Sequence, residues 1–316
     1  MKKEVFNMKG YPPEGSKEGV FRTLPPQAFT ISALERAMER GSILEAPAVL
    51  CDNDMNLHVA LGKFCGIIPK SEAVYQPGDA PVKEIAILTR VGKNVAFCVK
   101  AIERKEGKLT FVLSRRQAQK ECYERYISIL SPGDVVRAKV THIESFGVFL
   151  DVGCGTTALL PVDAISISRI SHPRLRFSVG DEFSVVIRSI DAEGRIYTSR
   201  KELLGTWEEN ASLFSPGQTV AGAVRSIEPY GIFVELTPNL TGLAEYKEGV
   251  KENETASVYI KSILPERMKV KLIIIDSHRA GSEFQKNRFQ PDETPRHIDF
   301  WRYSPEGSQK CIETVF

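Results

Sequence analysis

Phe146 and Phe149, in the string Ser145-Phe146-Gly147-Val148-Phe149-Leu150, are the first residues of this chain whose type and spacing imply chemistry. Strand alternation puts Val148, Leu150 and Val152 on one face and Phe149 on the other. Alternation alone would send Phe146 to the core side, but Gly147 beside it permits a bulge that re-aims the ring. Both rings are therefore expected side by side on the outer face. Exposed ring pairs are costly to solvate unless covered, and any nucleobase covers one at about 1–3 kcal/mol per base. A second such string, Pro229-Tyr230-Gly231-Ile232-Phe233-Val234, follows 84 residues later. On an expected neighbouring strand, Arg195 and Tyr197 alternate outward around Ile196 and Thr198. A guanidinium there suits both phosphate pairing and stacking. Taken singly, such a string is more often barrel core or turn. Its recurrence, and the basic residue behind an Asp-x-x-Gly turn, favour a nucleic-acid platform.

The elements that must hold these residues form a repeat. Ser131-Pro132-Gly133-Asp134 and Ser215-Pro216-Gly217-Gln218 each open a β unit. In an earlier, fainter copy, Gly66-Ile67-Ile68-Pro69 lines up with Ala158-Leu159-Leu160-Pro161. Several short strands in units of this size imply small closed barrels. The expected fold is all-β, three tandem five-stranded barrels joined by short α-helical linkers. Residues 1–28 read as a flexible tail, and 29–116 as a degenerate barrel led by a helix that Ser32 and Glu35 cap. A linker helix over 117–130 leads to a second barrel at 131–201, and another over 202–214 to a divergent third at 215–276. Residues 277–316 read as a polar linker and a C-terminal β-hairpin carrying Trp301.

Composition narrows the function. The 316-residue chain is 42% hydrophobic and 26% charged, ordinary for a protein that builds cores. Its six cysteines lie far apart without a CxxC pair, which argues against a zinc site and a disulfide framework and fits a reducing cytosol. No Gly-rich phosphate loop, nucleophile elbow or paired-carboxylate signature stands out. No enzyme, cofactor or small-molecule substrate is expected. No apolar run reaches the ~18–20 residues of a membrane span, and the start lacks the apolar stretch of a secretory signal, so a cytoplasmic location is expected. Net charge is +2 overall, but +4 over residues 40–116, +1 over 131–201 and −1 over 215–276. Phosphate attraction alone therefore cannot carry the third unit. Arg169, His172, Arg174 and Arg176 form a positive loop suited equally to solvent or to backbone phosphates.

Residues 131–201 resemble the S-one domain, the OB-fold RNA-binding repeat named after the largest small-subunit ribosomal protein of bacteria. The match runs through the opening Gly-Asp, Phe-Gly-x-Phe, the Leu-Leu-x-Val strand, Val179-Gly180-Asp181-Glu182 and the Ile-Asp turn with Gly-Arg-Ile. Residues 215–276 resemble it moderately and 41–116 faintly. The resemblance places the family's RNA-contacting positions on Phe146, Phe149, Asp191 and Arg195; Pro161 stands where the family often has a histidine. The third unit keeps Tyr230 and Phe233 and puts Lys269 near the basic position, with Glu245 for the histidine and Leu264 for the aspartate. It is expected to bind more weakly. The first has Met55-Asn56-Leu57-His58 in place of the rings. The implied function is non-enzymatic binding of single-stranded RNA, messenger or ribosomal, in translation, with the small ribosomal subunit as an implied partner. The rival readings are a module that docks on ribosomal or other proteins with little RNA contact, and the substrate-gripping part of a ribonuclease.

Overall fold

Three runs of alternating apolar residues each close on themselves. In the computed structural model, which describes residues 10–16, 25–76, 83–105, 108–279 and 295–316, each run supplies five strands. The first barrel comprises β1 (Leu44–Cys51), β2 (Leu57–Leu61), β3 (Phe64–Ile68), β4 (Asn94–Lys105) and β5 (Lys108–Ser114). The second comprises β6 (Val135–Glu144), β7 (Gly147–Asp151), β8 (Thr157–Pro161), β9 (Glu182–Ile190) and β10 (Ile196–Ser199). The third comprises β11 (Thr219–Glu228), β12 (Gly231–Thr237), β13 (Leu240–Ala244), β14 (Thr255–Leu264) and β15 (Lys269–His278). All three share one order: first, second, third, fifth, fourth, with the third strand parallel to the fifth. These are tandem OB-fold barrels. Each is filled by its inward set: Leu57, Val59, Phe97 and Phe111 in the first, Val148, Leu150, Leu160 and Val185 in the second, Ile232, Val234, Val258 and Leu272 in the third. Burying each such side chain stabilises by about 1.5–3 kcal/mol.

The helices differ from expectation in their caps. α1 (Ile31–Arg40) is capped by Thr30, whose hydroxyl accepts from Ala33 N at 3.2 Å, rather than by Ser32 with Glu35. Phe29, buried, anchors the chain just before the extended Thr30 and so sets the start. After the short α2 (Glu84–Leu88), α3 (Arg115–Arg125) begins at once behind β5, with Ser114 as cap, and gives way to a 3-10 turn at Ile127–Ile129. No continuous helix spans 202–214. A 3-10 turn at Lys201–Leu203 breaks at Gly205 (φ 77°), and α4 (Trp207–Ala211) restarts on a capping box of Thr206 and Glu209.

Where the barrels meet, two segments expected to be exposed are buried in part. Residues 10–16, expected as part of a flexible tail, are packed between the first and second barrels. Residues 1–9 and 17–24 of that expectation lie outside the described residues. Glu14 is buried there, taking Arg115 Nε at 2.8 Å and Nη2 at 3.0 Å, and Ala96 N at 3.0 Å. Its own N–H donates to Asp151 at 2.7 Å, and Tyr11 stacks on Tyr126 with centroids 6.1 Å apart. The positive loop after β8 is not wholly solvated either. Arg176 is buried, donating to Glu235 of the third barrel at 2.6 Å, while Arg225 holds the same carboxylate at 2.8 Å. The C-terminal hairpin, β16 (Phe300–Arg302) with β17 (Glu313–Val315), packs Trp301 and Tyr303 into the third barrel's core. It also touches the second barrel, where Ile298 N donates to Gly133 O at 2.9 Å. Much of the preceding linker, residues 280–294, lies outside the described residues.

The first junction carries a pH dependence. Burial pushes the Glu45 carboxyl up to about 7, against a hydrogen bond from Gly15 N. Burial, then the Glu14 carboxylate, raise Asp151 to about 7 as well. Burial also disfavours the Glu14 anion, but the bound Arg115 outweighs it and holds that carboxyl low. Where the folded pKa exceeds the unfolded value, the native state keeps protons the unfolded chain has released, and stability falls as pH rises between the two. Carboxylates held low, such as Glu14 and Glu235, act oppositely and at lower pH. The difference between wild type and Glu45→Gln reads this group together with its coupling to Glu14 and Asp151. Between pH 4.5 and about 7 the variant should gain stability relative to wild type in urea denaturation, and a constant difference would reject the assignment.

Candidate nucleic-acid interface

The ring pairs owe their position to a hairpin and a bulge. Glu144 pairs with Gly147, leaving Ser145-Phe146 as a two-residue turn, and Glu228 pairs with Gly231 around Pro229-Tyr230. The register slips between Val140 and His142 on β6, and between Val224 and Ser226 on β11, so the bulge lies on the partner strand and not at Gly147. Gly147 is needed for a different reason. A Cβ there would stand 2.6 Å from Leu160 O, and one at Gly231 would stand 2.4 Å from Ala244 O, so these glycines let the next strand approach. Phe146 at the tip is 54% exposed and Phe149 half-buried, with centroids 6.0 Å apart and planes at 90°. Tyr230, 69% exposed, and Phe233 repeat this at 6.1 Å and 87°. The expected outer-face pair forms, edge to face and not flat side by side.

Register extends each platform into a row. Phe149 opposes Leu159, which opposes Tyr197, so Tyr197 lies two strands from Phe149 and not on its neighbour. In the third barrel the row is Phe233, Leu243 and Lys271. Two residues back along the fifth strand, Lys269 corresponds to Arg195. The two cations differ in their freedom. Arg195 Nε donates to Asp191 at 2.7 Å and its Nη2 pairs with Glu193. Desolvation pushes Asp191 up, but the Arg195 hydrogen bonds outweigh it and hold the carboxyl below its ordinary value. Asp191 also accepts the N–H groups of Glu193 and Arg195, so it builds the turn. Lys269 and Lys271 are exposed and have no ion pair among the described residues. Lys271 and His142, whose ring lies 6.3 Å from Phe149, are missed by motif matching. The alternation Lys269-Val270-Lys271-Leu272 was the available signal for the first. In the first barrel His58 takes the Phe149 position, opposite Leu50 after the same bulge, and its Nε2 lies 3.1 Å from Asp52.

Among the described residues no group of three or more His, Cys, Asp or Glu side chains is placed to hold a metal ion, and no helix is long and apolar enough to cross a membrane. The S1 RNA binding domain model matches residues 130–201. Small ribosomal subunit protein bS1 of Streptococcus pneumoniae is 30% identical over 215 residues, 62% of this chain and 53% of its own. That of Leuconostoc lactis is 32% identical over 223 residues, 68% of this chain and 50% of its own. The chain thus spans about half the length of these curated relatives. A solved multidomain protein with nucleic acid binding domains from Streptococcus pneumoniae aligns over 75% of this chain and 74% of its own, at 17% identity and a TM-score of 0.25. Gly147→Ala should cost about 1–3 kcal/mol in urea denaturation by driving β7 from β8. An unchanged midpoint would mean that the strands do not approach as described.

Proposed function

We propose that this chain, an S1-domain protein resembling small ribosomal subunit protein bS1, binds single-stranded RNA through the ring pairs of its second and third barrels. One observation supports this above the rest: two barrels present the same perpendicular, solvent-facing ring pair at the same register position. Exposed rings contribute little to a core, whereas bases stack on them without regard to sequence. Phe146 and Tyr230 form the outer steps of the platforms, Phe149 and Phe233 the inner ones, and Tyr197 extends the second. Lys269 and Lys271 pair with phosphates. Arg195 does so only by sharing its charge with Asp191 and Glu193, and Asp191 acts as a positioning residue. The third barrel is therefore the greater source of phosphate contacts and the second the greater source of stacking. The RNA is messenger or ribosomal and the setting translation, at the small ribosomal subunit in the cytoplasm. Binding is the whole activity, without a catalytic step. The first barrel, lacking rings, serves mainly as structure.

Phe149→Ala should weaken binding of an unstructured oligouridylate by about 1–3 kcal/mol while the fold persists. A folded variant that binds like wild type would refute the platform. Each phosphate neutralised on a single strand adds about 0.7 to the slope of log affinity against log salt. Lys271→Ala should therefore flatten the slope by about 0.7, Arg195→Ala by clearly less, and Phe149→Ala hardly at all. Equal slopes for the lysine and arginine variants would show that the carboxylates do not withhold the Arg195 charge.

A further inference from the structure

We propose that the cleft between the first and second barrels is a nucleotide site that continues the second barrel's RNA path; this rests on the stacking reading above. The cleft holds about 270 Å³ and is lined by Tyr75, Arg90, Gln119, Tyr123, Thr156 and Gly194, among others. Its walls come from both barrels and from α3, so neither barrel makes it alone. Tyr75 and Tyr123 present tilted rings, 5.9 Å between centroids and 54° between planes, too close to admit a base between them, so that a base would lie against the pair from the cleft side. Gln119 fixes the wall. Its Oε1 accepts from Tyr75 N at 2.9 Å, and its Nε2 donates to Cys154 O and Gly155 O, both at 3.2 Å.

The cleft also has a second cation. Arg115 takes both oxygens of Glu14 at 2.8 and 3.0 Å, and among the described residues Arg90 makes longer contacts, an ion pair of 3.5 Å to Glu14 and 3.4 Å to Thr89 Oγ1. The nearest exposed carboxylate of α2, Glu84, is paired with Lys70 at 2.8 Å. Lys93 lies close enough to Arg90 and Glu14 to feel both, and its pKa is lowered by burial and by the Arg90 charge. Carboxylates stand near as well: Asp151 accepts from Gly155 N at 3.0 Å, and Asp191 and Glu193 precede Gly194 but are engaged by Arg195.

Register joins this cleft to the platform. The row Phe149–Leu159–Tyr197 is followed, two residues along β7 and β8, by the pair Asp151–Thr157, with Arg195 just before the start of β10. Thr157 of that pair and Gly194, next to Arg195, line the cleft. Two residues of strand advance by about 6.6 Å, within reach of one nucleotide of an extended chain. On this path a base leaving Tyr197 would enter the cleft that Tyr75, Tyr123 and Arg90 line together with Thr157. The first barrel would contact RNA through its edge at the junction and not through its own face.

The test uses the full chain, an unstructured oligouridylate and the variants Tyr75→Leu and Arg90→Gln. Each should bind about tenfold more weakly, with the stacking loss in the first and the charge loss in the second. Arg90→Gln should also flatten the salt slope by about 0.7, which a merely structural role would not do. In wild type, 4-thiouridine in the oligomer should crosslink to peptides carrying Tyr75 or Tyr123, a readout that survives a variant that misfolds. If the variants bind like wild type and crosslinks stay on the ring-pair strands while Phe149→Ala still weakens binding, the cleft is not a nucleotide site and the platform stands. If Phe149→Ala binds like wild type, the stacking reading falls, and this inference with it.

Discussion

A buried carboxylate shared between barrels is the constraint on which the rest of this molecule depends. Glu14 inside the first junction and Glu235 inside the second are each held by a guanidinium that no longer meets water. Removing one partner of such a pair typically costs about 3–5 kcal/mol, because the remaining charge is stranded. Each junction therefore resists opening more than a flexible linker would. The chain segments recruited to make them, residues 10–16 at one end and the C-terminal hairpin at the other, lie outside the barrels proper. Three barrels that could have moved as beads on a string are tied by their own termini.

That constraint also decides which cations are available. The second unit's formal charge of +1 includes Arg176, spent on Glu235, and Arg195, shared with two carboxylates. Arg200 is turned onto the Phe183 ring at 4.4 Å, and burial, with the neighbouring Arg176 charge, lowers its pKa to about 10. The third unit, at −1, keeps Arg225 on Glu235 but leaves Lys269 and Lys271 exposed beside its rings. Net charge per unit thus does not report which cations are left exposed. What counts for a phosphate is the charge left over after the junctions and turns are satisfied.

Much of the fold was legible because it rests on local periodicity. Alternation in β7 and β12, and the recurrence of the aromatic string, locate two platforms from residue types alone. The third strand's pairing with the fifth is non-local, and so are the partners of Arg176 and Glu14, which lie 59 and 101 residues away. A positive loop and a charged tail look solvated in a sequence because nothing nearby signals the carboxylate or guanidinium that will bury them. The outer-face ring pair forms as inferred, but not through the inferred bulge: the hairpin turn presents Phe146, and the bulge lies on the partner strand. Gly147 suggested it, yet that glycine answers to Leu160 O on the third strand, whereas the extra residue sits in β6. Glycine marks close approach as readily as it marks a bend.

The first barrel separates what topology requires from what binding requires. It has the same strand order, and the same register slip, between Ala48 and Leu50, that precedes the ring position elsewhere. At that position stands His58, held by Asp52, with Ile67 and Val112 completing the row. Its first hairpin is longer too, so no ring is carried at a two-residue tip. The bulge is thus a property of closing a five-stranded barrel, retained whether or not a base is to be stacked, while the rings are additions to that geometry. A barrel that keeps the closure and loses the rings still offers an edge, and on that edge Arg90 and Tyr75 line the cleft it shares with the second barrel.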